Sequence, residues 1–408
     1  MDLKPQLPSY YQLVSVSDVE SQPNENTSIP PPVIRIFHPG YPEIYSPLLQ
    51  FVAWDDGGVD YNIVYHACCI IVQCAVDNSL VFTATAHLSE PNSLSPYLSL
   101  AKEPEKPIPP PTDGILREKK YFLHLPRFPG RYPVIPNFSN WVFPHDDFPT
   151  LWKELPISPL PDDTVLPSTT GRPAVVVRDR SCRFTKSLCG TRGAHIVPKK
   201  DNDWFFANHM GQYCDPSSSP SYDDMRNMIL LRADVHKMFD DKELVVVPKF
   251  DKNNTCHLVT HVLKWHQQSA EIKTLFHNRT CYGFTGVSPE CLYARFAWSI
   301  FNSSTFRFFE SQPEIFSIRI RDPNASPGSI RYIDRDITSS SQIPRSGLKS
   351  DAPSKSERAT SNKRKRGVGH YSVSQERVMY SSDDEDSLHD GSSEGDHDSD
   401  VDRGRKRE

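Results

Sequence analysis

Nowhere in its 408 residues does the chain carry an apolar run approaching the ~18 residues that a membrane span needs. Its start, MDLKPQLPSYYQ, has no apolar core of signal-peptide type, which argues against secretion. The nine cysteines are odd in number and include no CxxC pair. That fits a reducing compartment better than a disulfide framework. There is no GxSxG elbow and no cysteine in a family-specific catalytic context, so acyl-transfer chemistry has no support. Lys and Arg are missing from Ser381 to Asp402, a stretch that holds ten Asp or Glu. The formal net charge of −5 is therefore concentrated there, and the rest of the chain is net positive. Such a remainder permits nucleic-acid binding without demanding it.

What is present predicts an α+β chain. Its 37 prolines gather between Pro23 and Pro167, where long irregular connections are expected. Residues 1–32 are polar, end in Pro30-Pro31-Pro32 and read as a disordered arm. Residues 33–165 read as a β-rich region with proline-rich loops. In it IYSPLLQFVAW leads to a turn at Asp55-Asp56-Gly57-Gly58, and the β-branched run Val59–Val76 predicts a long strand of a meander. Cys68, Cys69 and Cys74 on that run are small buried residues rather than a metal or redox site. Residues 88–117 read as a loop, and Tyr121–Leu125 as one more strand. Pro126–Pro161 is aromatic and proline-rich, and is expected to wrap over a surface without regular structure. His145-Asp146-Asp147 inside it reads as a turn.

Residues 166–321 form the next expected unit. After the turn Asp240-Asp241-Lys242, ELVVVPKF is a strand. His257, His261, His266 and His277 are spaced by four, five and eleven residues, which keeps no single helical face, so ordinary structural roles are expected. Pro289–Phe301 places Leu292, Phe296 and Ile300 on one face of a packing helix. Beyond Asp322 the apolar content collapses, and 322–408 read as a disordered basic and acidic tail. Its run Lys363-Arg364-Lys365-Arg366 points to nuclear import.

The residues that carry chemistry lie between 180 and 250. AHIVP, Ala194 to Pro198, puts His195 at the end of a short extended run. NMILLRADVHKMFD, Asn227 to Asp240, reads as a strand over Met228–Leu231 followed by a helix from Ala233 to about Asp241. His236 and Asp240 are four residues apart and leave the same helical face, where they can share one divalent ion. Cys182, Cys189 and Cys214 are spaced too irregularly for a structural zinc site.

Together, Cys182 with Thr185, AHIVP at His195, and Asn227 through Leu230-Leu231-Arg232-Ala233-Asp234 to His236 resemble the HNH nuclease superfamily, in the branch found in uncharacterised fungal proteins. The resemblance to the nuclease module covers about 180–250, and a looser one about 126–302. It implies a ββα-metal module with additional helices and a metal-dependent endonuclease acting on nucleic acid, with DNA the expected substrate. By this resemblance His195 is the general base, a role that a neutral imidazole suits near neutral pH. His236 binds the metal, Asp240 stands where some members carry a second ligand, Asn227 holds the loop, and Arg232 is a phosphate contact. Many members have a metal-binding Asp or His where this chain has Ala194. With only His236 and Asp240 from protein, Mg²⁺ or Mn²⁺ suits the site better than Zn²⁺. The rival reading is a catalytically silent module that binds nucleic acid or a protein.

Overall fold

Tyr61–Val72 (α1) runs through the middle of the molecule with all twelve residues buried. This corrects the strand expected over Val59–Val76. A helix apolar all round is enclosed by protein and shows no amphipathic period, so its Val and Ile content alone mimics a strand. The start signal was present, since the Asp60 carboxylate accepts from the Ile63 N–H at 3.0 Å as an N-cap.

The structure is a computed structural model and describes residues 1–7, 31–77, 81, 95–104, 106–128, 130–161, 164–167, 171–215, 221–265, 269–311, 313, 315–322, 324 and 331–338. The chain divides into two units, Met1–Lys349 and Ser350–Glu408. The basic run Lys363–Arg366, the acidic stretch Ser381–Asp402 and His266 lie outside the described residues.

In the β-rich region, Val33–Phe37 (β1), Leu49–Val52 (β2), Tyr97–Ser99 (β4) and Lys120–His124 (β6) form a sheet ordered β2-β1-β6-β4. There β1 runs antiparallel to β2 and parallel to β6. Val59–Asp60 (β3) pairs with Ile115–Leu116 (β5) just before α1. The proline-rich stretch after β6 does not wrap a surface. Tyr132, Val134, Trp141, Phe143, Phe148 and Trp152 are buried, the last on the short helix Thr150–Lys153 (α2). Its prolines keep it out of the sheets, and its large aromatic area still drives it inside.

The second half contains Arg172–Asp179 (α3), Thr191–His195 (β7), Asn202–Ala207 (α4), Met228–Arg232 (β8), Ala233–Asp240 (α5), Leu244–Phe250 (β9), Cys256–Val262 (β10), Ser269–Phe276 (α6), Arg279–Thr280 (β11), Pro289–Ile300 (α7), Ile315–Arg321 (β12) and Tyr332–Thr338 (β13). Strands β9, β10 and β11 form one antiparallel sheet, and β7 pairs antiparallel with β8. Helix α7 begins where expected. Pro289 follows the Ser288 cap, whose Oγ accepts from Cys291 N–H at 3.1 Å. It packs against α1, α2 and β9, so buried residues from both sides of position 165 share one core.

Both expected disordered ends reach further into structure than their composition indicates. Lys4 N–H donates to Asn278 O at 2.8 Å and Lys4 O accepts from Thr280 N–H at 3.0 Å, which fastens the N-terminus beside β11. Strand β13 lies past residue 322 and pairs with β12 over seven residues. Tyr332, Ile333 and Ile337 give it an apolar side to pack against the core.

Candidate functional site

The site is built on the β7–β8 pair. Their register sets Thr191 opposite Arg232 and His195 opposite Met228. Met228 Cε packs over Gly193, where a Cβ would lie 2.9 Å from it. The α3 helix holds the outer edge of β8. Arg178 donates to Met225 O and Met228 O at 2.6 Å each, and Asp179 Oδ2 accepts from Leu230 N–H at 2.7 Å. The loop from β7 to β8 is anchored by α4, where Trp204 and Phe205 are buried and Trp204 Nε1 donates to Trp141 O at 2.7 Å.

His195 ends β7 with its side chain 21% exposed. Its Nε2 lies 2.8 Å from Asp223 Oδ1. A carboxylate only accepts, so Nε2 carries a proton and a neutral ring keeps its lone pair on Nδ1. Asn227 is buried and clamps the loop at three points. Its Oδ1 accepts from Val197 N–H at 2.8 Å, its Nδ2 donates to Tyr222 O at 2.9 Å, and its carbonyl accepts from Ile196 N–H at 2.7 Å. It therefore grips the backbone beside both partners of the His195–Asp223 pair.

Helix α5 follows β8 without a break. Val235 and Phe239 face the core, which leaves His236 and Asp240 together on a flank. His236 Nε2 and Asp240 Oδ2 are 3.1 Å apart. Two neighbouring ligands of a cation held at ~2.1 Å stand roughly 3.0 Å apart, so this pair fits a shared divalent ion. Burial would raise the Asp240 carboxyl, and the His236 hydrogen bond with the nearby Arg295 and Lys200 charges outweighs it and holds it low.

Arg295 of α7, fully buried, joins the two halves. One of its nitrogens, Nη1, lies 3.2 Å from Ile196 O and 3.5 Å from His195 O. The other, Nη2, donates to Phe239 O and lies 3.7 Å from Asp240 Oδ1. One guanidinium therefore reaches the strand end carrying His195 and the helix end carrying Asp240. Sequence reasoning assigned this helix only a packing role. A lone Arg inside the apolar run PECLYARFAWSIF was the available signal. Asp223 was also passed over, and no spacing marks it.

Arg232 is not brought to His195. It sits four residue steps away at the other end of the hairpin, about 13 Å along the strands. Asp234 holds its guanidinium in a two-pronged pair at 2.7 and 2.6 Å. Ala194 is fully buried in the core, so that position supplies no ligand.

Among the described residues, one further group could hold a metal: Asp55, His261 and His277, whose ligand atoms lie within 4.8 Å of one another. Lys249 already supplies the cation there. Its Nζ lies 2.9 and 3.0 Å from the Asp55 oxygens and 2.7 Å from Asn278 Oδ1. His277 Nε2 adds a bond to Asp55 at 2.9 Å. His277 thus has a structural bond to Asp55, while the buried His261 Nδ1 has no hydrogen-bond partner among the described residues. Likewise His145 is half-buried and bonds Tyr213 Oη and Asn208 O, each at 2.8 Å. All nine cysteines are free.

A family model described as HNH endonuclease matches residues 182–247, from Cys182 into β9. That segment holds His195, Asp223, Asn227, His236 and Asp240, and the match supports a nuclease-type domain of the HNH superfamily there. HNH domains generally use a divalent metal. No curated protein and no solved structure matches the chain.

Proposed function

We propose that this segment is a metal-dependent endonuclease site hydrolysing nucleic-acid phosphodiesters, with DNA as the substrate. The observation that carries the reading is the juxtaposition through Arg295 of a carboxylate-oriented histidine with a histidine–carboxylate pair on the facing helix.

His195 Nδ1 takes the proton from the attacking water. Asp223 fixes the ring's tautomer and steadies the imidazolium that results, as a carboxylate does for a catalytic imidazole. Asn227 keeps both partners in place, because its amide holds the backbone on either side of them. His236 and Asp240 would hold the divalent ion. Half-exposed Asp240 leaves room for water and phosphate around it, as Mg²⁺ or Mn²⁺ requires. When bound, that ion polarises the phosphate and neutralises charge on the departing oxygen. The His236 hydrogen bond, with the Arg295 and Lys200 charges behind it, holds the Asp240 carboxyl low, and Arg295 lies on its other oxygen.

Supercoiled plasmid with Mg²⁺ or Mn²⁺ tests this. The wild type should nick it, and His195→Ala and His236→Ala should each lose about 100-fold or more. Equal nicking by all three would overturn the enzyme reading. Salt-sensitive DNA binding retained by His195→Ala without cleavage by the wild type would instead identify the silent binding module, which buried Ala194 favours. The Lys363–Arg366 run supports a nuclear location, and a reporter fused to residues 350–408 that stays outside the nucleus would remove that support.

A further inference from the structure

A groove of about 560 Å³ opens between the edge of the β-rich sheet and the chain that follows β10. Its lining includes Arg35 on β1, Gln50 on β2, Lys119, Trp265, Ser304 and Arg307, and no acid lines it. Arg35, Lys119 and Trp265 are exposed, Trp265 at 38%. Glu310 pairs with Arg307 from outside the lining, while Arg35 and Lys119 have no ion pair among the described residues.

A chain of contacts leads from the nuclease-like site toward the groove. Trp298 on α7 lies under three cations, Lys242 at 4.0 Å, Arg295 at 4.4 Å and Lys200 at 4.8 Å. Lys242 Nζ donates to Phe301 O at 2.8 Å, and Lys264 donates to Asp241 O one residue past α5. Trp265 is the next residue. Cationic side chains thus lead from Lys200 beside Asp240, through Lys242 and Lys264, to Trp265, with Asp201 and Asp241 set among them.

We infer that this groove binds a single strand of nucleic acid flanking the point of cleavage. Trp265 offers a stacking face that any base can use. Arg35, Lys119 and Arg307 meet phosphates, and the guanidinium fork suits them in particular. The volume is that of a pocket for a drug-sized molecule, room for about one or two nucleotides, and it cannot admit a duplex. The inference rests on the nuclease reading only for where the strand leads. The groove's own occupancy is tested without cleavage.

The test is fluorescence anisotropy of a labelled single-stranded oligonucleotide against the full chain, with EDTA present. Trp265→Ala should weaken binding by roughly 5- to 150-fold, the loss of one stacked base, while Trp265→Phe restores most of it. Arg35→Ala with Lys119→Ala should lower the salt slope by about 1.4, two single-strand phosphate contacts. Thermal melts confirm that these exposed substitutions leave the fold intact. Unchanged affinity and slope in both variants would overturn the inference, as would binding of duplex alone. Loss of binding in the variants with no nicking by the wild type keeps the groove and ends the nuclease reading. Nicking by the wild type with normal binding by the variants does the reverse.

Discussion

Two clusters of histidine and aspartate in this chain use the same side chains under opposite conditions. Asp55, His261 and His277 are sealed in the core, while His195, Asp223, His236 and Asp240 stand at a partly open edge. The sealed cluster contains its own cation, Lys249, and draws on four segments: the turn before α1, strands β9 and β10, and the residue after α6. Burial would raise the Asp55 carboxyl, and Lys249 and His277 hold it well below the ordinary carboxylate range instead. The open cluster has the Arg295 and Lys200 charges near Asp240, whose side chain is half exposed. The buried donor set already holds a cation, Lys249, against its carboxylate. The half-exposed donor set is the one proposed to hold a metal.

The largest effect should come from removing the internal cation. Lys249→Met leaves Asp55 buried without its cation, at a cost of roughly 3–5 kcal/mol seen as a large drop in Tm. If that variant instead melts normally and takes up zinc, the contrast between the clusters collapses.

Acid should come next. His66 is pushed down to about 4 and His38 to about 3, chiefly by burial, and burial also lowers His261 and His277. The unfolded chain takes up these protons near 6.5, so stability is complete above that pH and falls as pH drops toward 4. By pH 5 the loss is roughly 2 kcal/mol per buried histidine. Asp60, raised to about 6 mainly by burial, recovers part of it as it protonates. A Tm that is flat from pH 7 to 5 would contradict this.

At the open cluster, Asn227→Ala strands the Val197 N–H and frees the loop, costing roughly 1–3 kcal/mol and most of the cleavage. A variant with wild-type nicking would show that Asn227 does not position His195. The smallest effect belongs to Arg232→Ala. With its exposed partner Asp234 at the far end of the hairpin, it should change stability by less than about 0.5 kcal/mol and nicking by less than about twofold. A tenfold loss would return Arg232 to the phosphate.

Much of the site was legible because its signals are local. His236 and Asp240 follow from helical spacing, and the strand ending at His195 and the one after Asn227 lie where the pattern put them. Arg295 and Asp223 were not legible, since each meets its partner only through tertiary packing. The same reason hid α1, whose burial on all sides erased its periodicity, and the aromatic stretch around Trp141, whose prolines resembled a surface loop. The Asp55 cluster could not be read at all, because Asp55 lies some two hundred residues from Lys249 and His277 and only the fold joins them.

Titration of the full chain with Mn²⁺, followed by water proton relaxation, tests the contrast most directly. The expected result is a single Mn²⁺ site that is lost in His236→Ala and in Asp240→Asn and kept in His261→Gln. Retention of the ion by His236→Ala together with its loss in His261→Gln would place the cation in the sealed cluster and contradict the assignment of the open one.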